Sequence, residues 1–342
     1  MDVTVNGRFM SQRITGVQRY AHELLARGGE RLAIVSPRAP VQGVRGHFWE
    51  QSVLPRHLNG SLLWSPCNTG PLTVRNQVVT IHDCSFHDCP NCFSSMFANW
   101  YRWLIPRLAR RARRIITVSR FARGRLVEFT GVNEDRIVVI PNGVAEQFAP
   151  VHPHFVAEVK RRLKLPERYV LSVGSVEPRK NLPRLLKAWR LLYPNVPDVS
   201  LVIAGGSSKT FQAVEFSSDN PGVVFPGYIH DRDLPALYSG AQLFVFPSLY
   251  EGFGLPLLEA MACGTPVVSS SAAALPEVVG DAGLLVDPYD PGAIADSMRC
   301  LLKDDSLRDV LRRRGLTRAA EFTWARTAES TWRVLASAAD NN

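Results

Sequence analysis

Short apolar runs recur along this chain at strand length, and many are followed by a segment of helical periodicity. Residues 3–5, 32–35, 78–81, 115–118 and 137–140 form one set, and 169–173, 201–204, 223–225, 243–246, 267–269 and 284–286 a second. Between them, 17–26, 93–113, 182–193, 234–239, 257–263 and 293–302 carry apolar residues at three- and four-residue spacing. Runs apolar on both faces, alternating with helices, predict parallel sheets covered on both sides, an α/β class. At 342 residues the chain has room for two such domains. The stretch 141–153, with three prolines and the turn former Asn142-Gly143, is the expected linker. The expected domains are therefore 1–150 and 151–321, each doubly wound, with ligands at the carboxyl ends of strands and in the cleft between halves. A last helical stripe in 322–342, through Trp324, Ala328, Trp332 and Leu335, either closes the second domain or crosses back to brace the first.

Composition narrows the setting. A hydrophobic share of 46 % with 21 % charged residues suits packed cores and not disorder. No run approaches the ~18 apolar residues of a membrane span. The first ten residues lack the apolar core of a secretory signal, so a cytoplasmic location is expected. Residues 1–150 hold nineteen arginines, no lysine and ten acids; the whole surplus of +9 lies there, and the 21 bases and 21 acids of the remainder cancel. That asymmetry points to an acidic partner such as nucleic acid, a phosphorylated ligand or anionic lipid. Between Asp88 and Glu128 there is no acid, yet arginine occurs at 102, 107, 110, 111, 113, 114, 120, 123 and 125, beside Trp100, Tyr101 and Trp103. This is the composition of a helix lying on an anionic membrane, and a peripheral position on the inner face of the cytoplasmic membrane is the corresponding expectation. No nucleic-acid reading module accompanies it, so nucleic acid is not the expected partner.

The densest chemistry lies in Pro247-Ser-Leu-Tyr-Glu251-Gly-Phe-Gly-Leu-Pro-Leu-Leu-Glu259-Ala-Met-Ala-Cys-Gly-Thr-Pro266. An apolar strand ends at Pro247, a glycine-bearing turn follows, and a helix begins with Pro256 near its first position and ends before Gly264. Free amides at such a helix start, with Gly252 and Gly254 allowing close approach, suit a phosphate. Glu251 in the turn and Glu259 one turn into the helix can flank one pocket, and each carboxylate can accept two hydrogen bonds from a vicinal diol. Alternatively, Glu259 complements the helix dipole.

This block resembles the retaining family 4 glycosyltransferases of GT-B fold, whose signature is two glutamates separated by seven residues in such a sequence. The resemblance implies two Rossmann-like doubly wound domains facing a central cleft. It implies that Glu251 contacts hydroxyls of the transferred sugar, that Glu259 holds the nucleotide ribose, and that the amides of Phe253, Gly254 and Leu255 face the sugar and diphosphate. Val173-Gly-Ser-Val-Glu-Pro-Arg-Lys180-Asn looks like the family's segment whose lysine binds the diphosphate, with Arg179 assisting; many relatives carry an arginine where Ser175 stands here. In the first half, Asn6-Gly-Arg-Phe and Ile14-Thr-Gly16-Val-Gln-Arg-Tyr20 resemble the first strand, the glycine turn and the helix that faces the donor phosphates. Trp64-Ser-Pro, Thr80-Ile-His82-Asp83, Val118-Ser119-Arg-Phe and Ile140-Pro-Asn142-Gly143-Val match further segments in order, which implies His82 beside the transferred sugar. Tyr228 joins the implied donor-binding set.

The implied activity is transfer of a hexose, mannose first, from a nucleotide diphosphate sugar to a hydroxyl of a glycan or a polyprenyl- or lipid-linked acceptor. The setting implied is bacterial lipopolysaccharide or exopolysaccharide assembly, with GDP-mannose as donor, a UDP-hexose as the alternative, and no metal or cofactor. A silent sugar-nucleotide binder is the rival. Asp231-Arg-Asp233 has a metal-binding form but precedes a helical pattern, so its acids are expected to cap that helix. His82-Asp-Cys84-Ser-Phe-His87-Asp-Cys89-Pro-Asn-Cys92 holds a C-x2-C without a second ligand pair, and is expected to be reduced and metal-free.

Overall fold

The structure, a computed structural model, describes residues 2–12, 14–28, 32–41, 43–206 and 220–340. It divides into two compact units, one running to Asp88, through Met96–Gly143 and from Thr323 on, the other Cys89–Ser95 with Val144–Phe322.

The first unit holds six parallel strands: β1 (Val3–Asn6), β2 (Leu32–Val35), β3 (Leu62–Ser65), β4 (Gln77–Thr80), β5 (Arg114–Thr117) and β6 (Ile137–Val139). Their order is β2-β1-β3-β4-β5-β6, so the winding reverses between β1 and β3. Strand β3 was not expected, because Leu62-Leu63-Trp64 is a very short apolar run. It is nonetheless central and buried, set off by a turn at Asn59-Gly60 with both φ values positive.

The second unit repeats the design with β7 (Tyr169–Val173), β8 (Ser200–Ala204), β9 (Val223–Gly227), β10 (Leu243–Phe246), β11 (Val267–Ser270) and β12 (Gly283–Val286). All neighbours are parallel in the order β9-β8-β7-β10-β11-β12. This is the doubly wound dinucleotide-fold order, with its reversal between β7 and β10. On one face, Leu185, Leu186 and Trp189 of the helix Leu182–Leu192 share a core with Val170, Leu201 and Leu243 and with Ile294, Met298 and Leu301 of the helix Pro291–Lys303. Asp290 starts that second helix by accepting from the amides of Gly292 and Ala293, with Pro291 following, where its missing N–H costs nothing.

The closing helix Trp324–Asp340 packs inside the first unit: Trp324 lies edge-on to Tyr20 at 6.1 Å and Trp332 to Trp64 at 5.4 Å. Thr327 Oγ1 donates to Pro141 O at 2.8 Å. A Cβ on Gly143 would fall 2.1 Å from Trp324 N, so only glycine lets the chain pass there. The contact boundary accordingly lies after Gly143, earlier than the expected 150, and the segment from Thr323 clusters with the first unit.

Candidate active site

The reversal between β7 and β10 places two loops side by side. The first runs from β7 through Gly174 to a tight turn at Pro178–Lys180, and the second leads from β10 to the helix Leu255–Ala262. Leu249 N–H donates to Arg179 O at 2.7 Å across them. Asn181, left-handed at φ 61, donates from Nδ2 to Pro247 O and Pro288 O at 3.0 and 2.7 Å. Three loops are thereby fixed at the carboxyl edge of the sheet, where open α/β sheets bind ligands.

Within this frame Glu251, 9 % exposed at its side chain, accepts from Lys180 Nζ at 2.6 Å and from Arg179 Nη1 at 2.8 Å. Burial pushes the Glu251 pKa up, but the Arg179 and Lys180 cations outweigh it and hold the carboxyl below its usual range. The Lys180 ammonium also sits 4.7 Å over the Phe246 ring. Arg179 is held on its other side by Glu177, whose Oε1 lies 2.8 Å from both Arg179 Nη2 and the Ser175 hydroxyl. Glu177 is fully buried and was not singled out from sequence; an acid two positions before a basic pair was its only signal. Two cations converging on one buried carboxylate form a charge cluster that an incoming anion can recruit.

Gly254 precedes the helix at φ 119, a backbone that side chains rarely adopt, and a Cβ there would lie 2.8 Å from Leu275 Cδ2. Pro256 has no N–H and the amides of Leu257 and Leu258 donate to Gly254 O at 3.0 and 3.3 Å, so the Leu255 amide is the one left at the start of the helix without an intrahelical acceptor. Phe253 is buried with its ring edge-on to Phe322 at 5.9 Å. Glu259 is buried one turn along and accepts from Tyr238 Oη at 3.1 Å. Tyr228 follows β9, two strands from β7, with its ring exposed and edge-on to His230.

Gly16 and His82 belong to the first unit. Gly16 opens the helix Gly16–Leu25, started by Thr15, whose N–H donates to Gln18 Oε1 at 3.1 Å. His82 lies two residues beyond β4 and is buried; its Nε2–H donates to Pro66 O at 2.9 Å and its ring is edge-on to Tyr20 at 4.8 Å. Burial lowers its pKa, so the ring stays neutral. Tyr20 thus ties the Gly16 helix to His82. At the end of β1, Asn6 and Arg8 both reach Glu50, at 2.7 and 2.8 Å, a fully buried acid that sequence reading passed over. Burial raises the Glu50 pKa, yet Arg8, His47 and Asn6 together outweigh it and hold the carboxyl below its usual range.

One side-chain expectation is corrected. Asp233 precedes the helix Leu234–Ser239 but its carboxylate makes no cap; it takes both Arg162 nitrogens, at 2.8 and 3.0 Å, a stronger bidentate partner. Several arginines of 102–125 have acidic or carbonyl partners. Arg123 pairs with Glu134, Arg125 with Asp88 and Glu128, and Arg113 and Arg114 donate to the carbonyls of Ala338 and Asp135.

Comparison with known proteins bears on the family and the fold. The sequence profile of glycosyl transferases group 1 matches residues 157–318, and that of glycosyltransferase family 4 matches 53–148. The O-antigen chain mannosyltransferase B of Escherichia coli is 37 % identical over 273 residues, covering 76 % of this chain and 70 % of that protein. A serotype-specific mannosyltransferase WbdA of Escherichia coli is 34 % identical over 227 residues, 64 % of this chain and 28 % of the relative. Anabaena HepE, solved with UDP and glucose, has a TM-score of 0.77 at 17 % identity, over 98 % of this chain and 100 % of that one. Its likeness shows the fold: the two Rossmann-like units are those of GT-B. With a profile on each half and a 37 % identical relative matched over most of its own length, the chain belongs to the family 4 glycosyltransferases.

Proposed function

We propose that this glycosyltransferase moves mannose from GDP-mannose to a hydroxyl of a bacterial O-antigen or related glycan, keeping the anomeric configuration. The observation that carries the reading is the 37 % identity to an O-antigen chain mannosyltransferase. The charge cluster supports the chemistry. On donor binding, Lys180 and Arg179 exchange the Glu251 carboxylate for the diphosphate, which frees Glu251 to accept from sugar hydroxyls. As the glycosidic bond breaks, charge grows on the phosphate, and the two cations with the amides around Leu255 stabilise it more than they stabilise the ground state. Front-face attack follows, with the leaving phosphate oxygen taking the acceptor proton. Protein cations fill the role of a metal, and no cofactor is required.

The test is transfer to a glycan acceptor from GDP-mannose, UDP-glucose and UDP-galactose in the presence of EDTA, with the product anomer read by NMR. Mannose transfer from GDP-mannose with retention, at a rate EDTA does not change, is expected. Transfer from a UDP-hexose alone would replace the donor, and an inverted anomer would sink front-face attack. Activity lost to EDTA and restored by magnesium would overturn metal independence. Nucleotide binding without transfer or donor hydrolysis would mark a silent binder.

We further propose that the first unit rests on an anionic membrane, where a lipid-linked acceptor would lie. Among the described residues no helix is long and apolar enough to cross a membrane. The helix Ser95–Arg111 instead carries exposed Met96, Trp103, Arg107 and Arg110 along one stripe, with Trp100 stacked on Trp103 at 5.1 Å and Arg107 4.5 Å over Trp103. Indoles suit the headgroup level, and each base near such a surface contributes about 1 kcal/mol. Co-sedimentation with anionic vesicles at low salt is expected, reduced at least tenfold in a Trp103→Ala, Arg107→Ala, Arg110→Ala variant. Equal recovery of the two proteins would remove the helix from the interface.

A further inference from the structure

Cys89 and Cys92 have no part in the reaction above, yet their segment clusters with the second unit, and the turn Pro90–Cys92 packs on the turn Pro178–Lys180. Cys92 N–H donates to Cys89 O at 2.9 Å. A turn closed in this way keeps its end Cα atoms within about 7 Å, the span a disulfide bridges. Neither sulfur is in a disulfide; Cys92 is buried and Cys89 half-buried. The Cys89 thiol hydrogen-bonds to the Cys92 sulfur, and Arg179 faces that sulfur with its charge and its backbone N–H. Together these outweigh burial and the nearby Glu177 and pull the Cys92 thiol below its usual pKa.

We propose that Cys89 and Cys92 form a redox-active dithiol, closed to a disulfide by small-molecule disulfides and coupled through Arg179 to occupation of the donor site. The half-exposed Cys89 thiolate attacks the oxidant, releases one of its two thiolates and retains the other half as a mixed disulfide. The Cys92 thiolate then attacks Cys89 Sγ, forms the Cys89–Cys92 bond and expels the second thiolate. Two electrons pass from the protein to the oxidant, and the two protein thiol protons end on the two released thiols. Arg179 favours the anion that performs the second step. A diphosphate that recruits Arg179 neutralises its field at Cys92 and slows closure. The coupling rests on the reading of Arg179 as a phosphate ligand; the dithiol does not.

The experiment exposes the full chain to oxidised glutathione, quenches by alkylation and maps the thiols by mass spectrometry. Loss of both Cys89 and Cys92 from alkylation, with no glutathione retained, is expected. A mixed disulfide that persists at Cys89, or two thiols that stay alkylatable under excess oxidant, would overturn the dithiol. Saturating GDP should slow closure about threefold or more, and Arg179→Gln should slow it similarly and abolish the GDP effect. Equal closure rates with and without GDP, while a thermal shift shows GDP bound, would overturn the coupling alone. If neither GDP nor UDP shifts the melting temperature, the site reading and the coupling fall together, and the dithiol is judged by the first measurement.

Discussion

Replacing Lys180 by alanine is expected to lower kcat about a hundred- to a thousandfold, the effect of removing one preorganised charge donor from a growing oxyanion. Lys180 is a compact ammonium fixed between Glu251 and the Phe246 ring, so no other group takes its place when it is removed. The fold should survive. Glu251 keeps Arg179 at 2.8 Å, so the loss stays below the ~3–5 kcal/mol of stranding a lone buried charge. Lys180→Arg should recover only part of the rate, because a planar fork does not fit the place of a point charge. The acid limb of activity provides a second readout. Lys180 is one of the causes holding the Glu251 pKa down, so without it that pKa rises and the acid limb moves to higher pH. Stability follows the same sign: the contribution from a depressed carboxylate is full above its unfolded pKa and is lost as pH falls through the folded one. A Lys180→Ala enzyme within threefold of the parent kcat, with an unmoved acid limb, would take Lys180 away from the leaving group.

The sheets were largely legible from sequence because parallel strands buried on both faces leave near-continuous apolar runs, as in Tyr169, Val170 and Leu171 of β7. The turn into the helix Leu255–Ala262 was legible for a local reason: glycine and proline act where they stand, and Gly254 needs its positive φ there. Helices with a narrow buried stripe were harder to see. Asp305–Ala320 buries only Leu311, Gly315 and Ala319, so its apolar period is submerged among arginines. The candidate residues Glu251, Lys180 and Arg179 could be picked out one by one, but their convergence could not. Nothing in 251–259 announces that Arg179, seventy-two positions upstream, will share a carboxylate with Lys180. Nor does Glu177 stand out until its burial and its contacts with Arg179 and Ser175 are seen. The choice of strand neighbours creates these contacts, and strand order is not written in the periodicity of any one strand.

The two glutamates of the helix block should separate cleanly on the same assays. Glu251→Gln is expected to lower kcat about ten- to a hundredfold, the worth of one charged hydrogen bond at roughly 1.5–3 kcal/mol, because the contacts proposed for it lie on the sugar that distorts as the bond breaks. The amide can still accept from one of the two cations but turns its NH2 toward the other, leaving positive charge uncompensated beside the donor site. Free GDP, which brings the diphosphate and no sugar, should therefore bind this variant more tightly than the parent. Glu259→Gln keeps an acceptor for Tyr238 Oη, so the fold should be unaffected, while the hold on the unreactive ribose that the family resemblance implies for Glu259 would weaken equally in ground and transition states. Its donor KM should rise about ten- to a hundredfold with little change in kcat, and GDP should bind more weakly by the same factor. Calorimetry of GDP thus reads opposite signs for the two variants. Tighter binding by Glu259→Gln with weaker binding by Glu251→Gln would exchange the two roles; weakening in both would show that Glu251 does not compete with the diphosphate for Lys180 and Arg179.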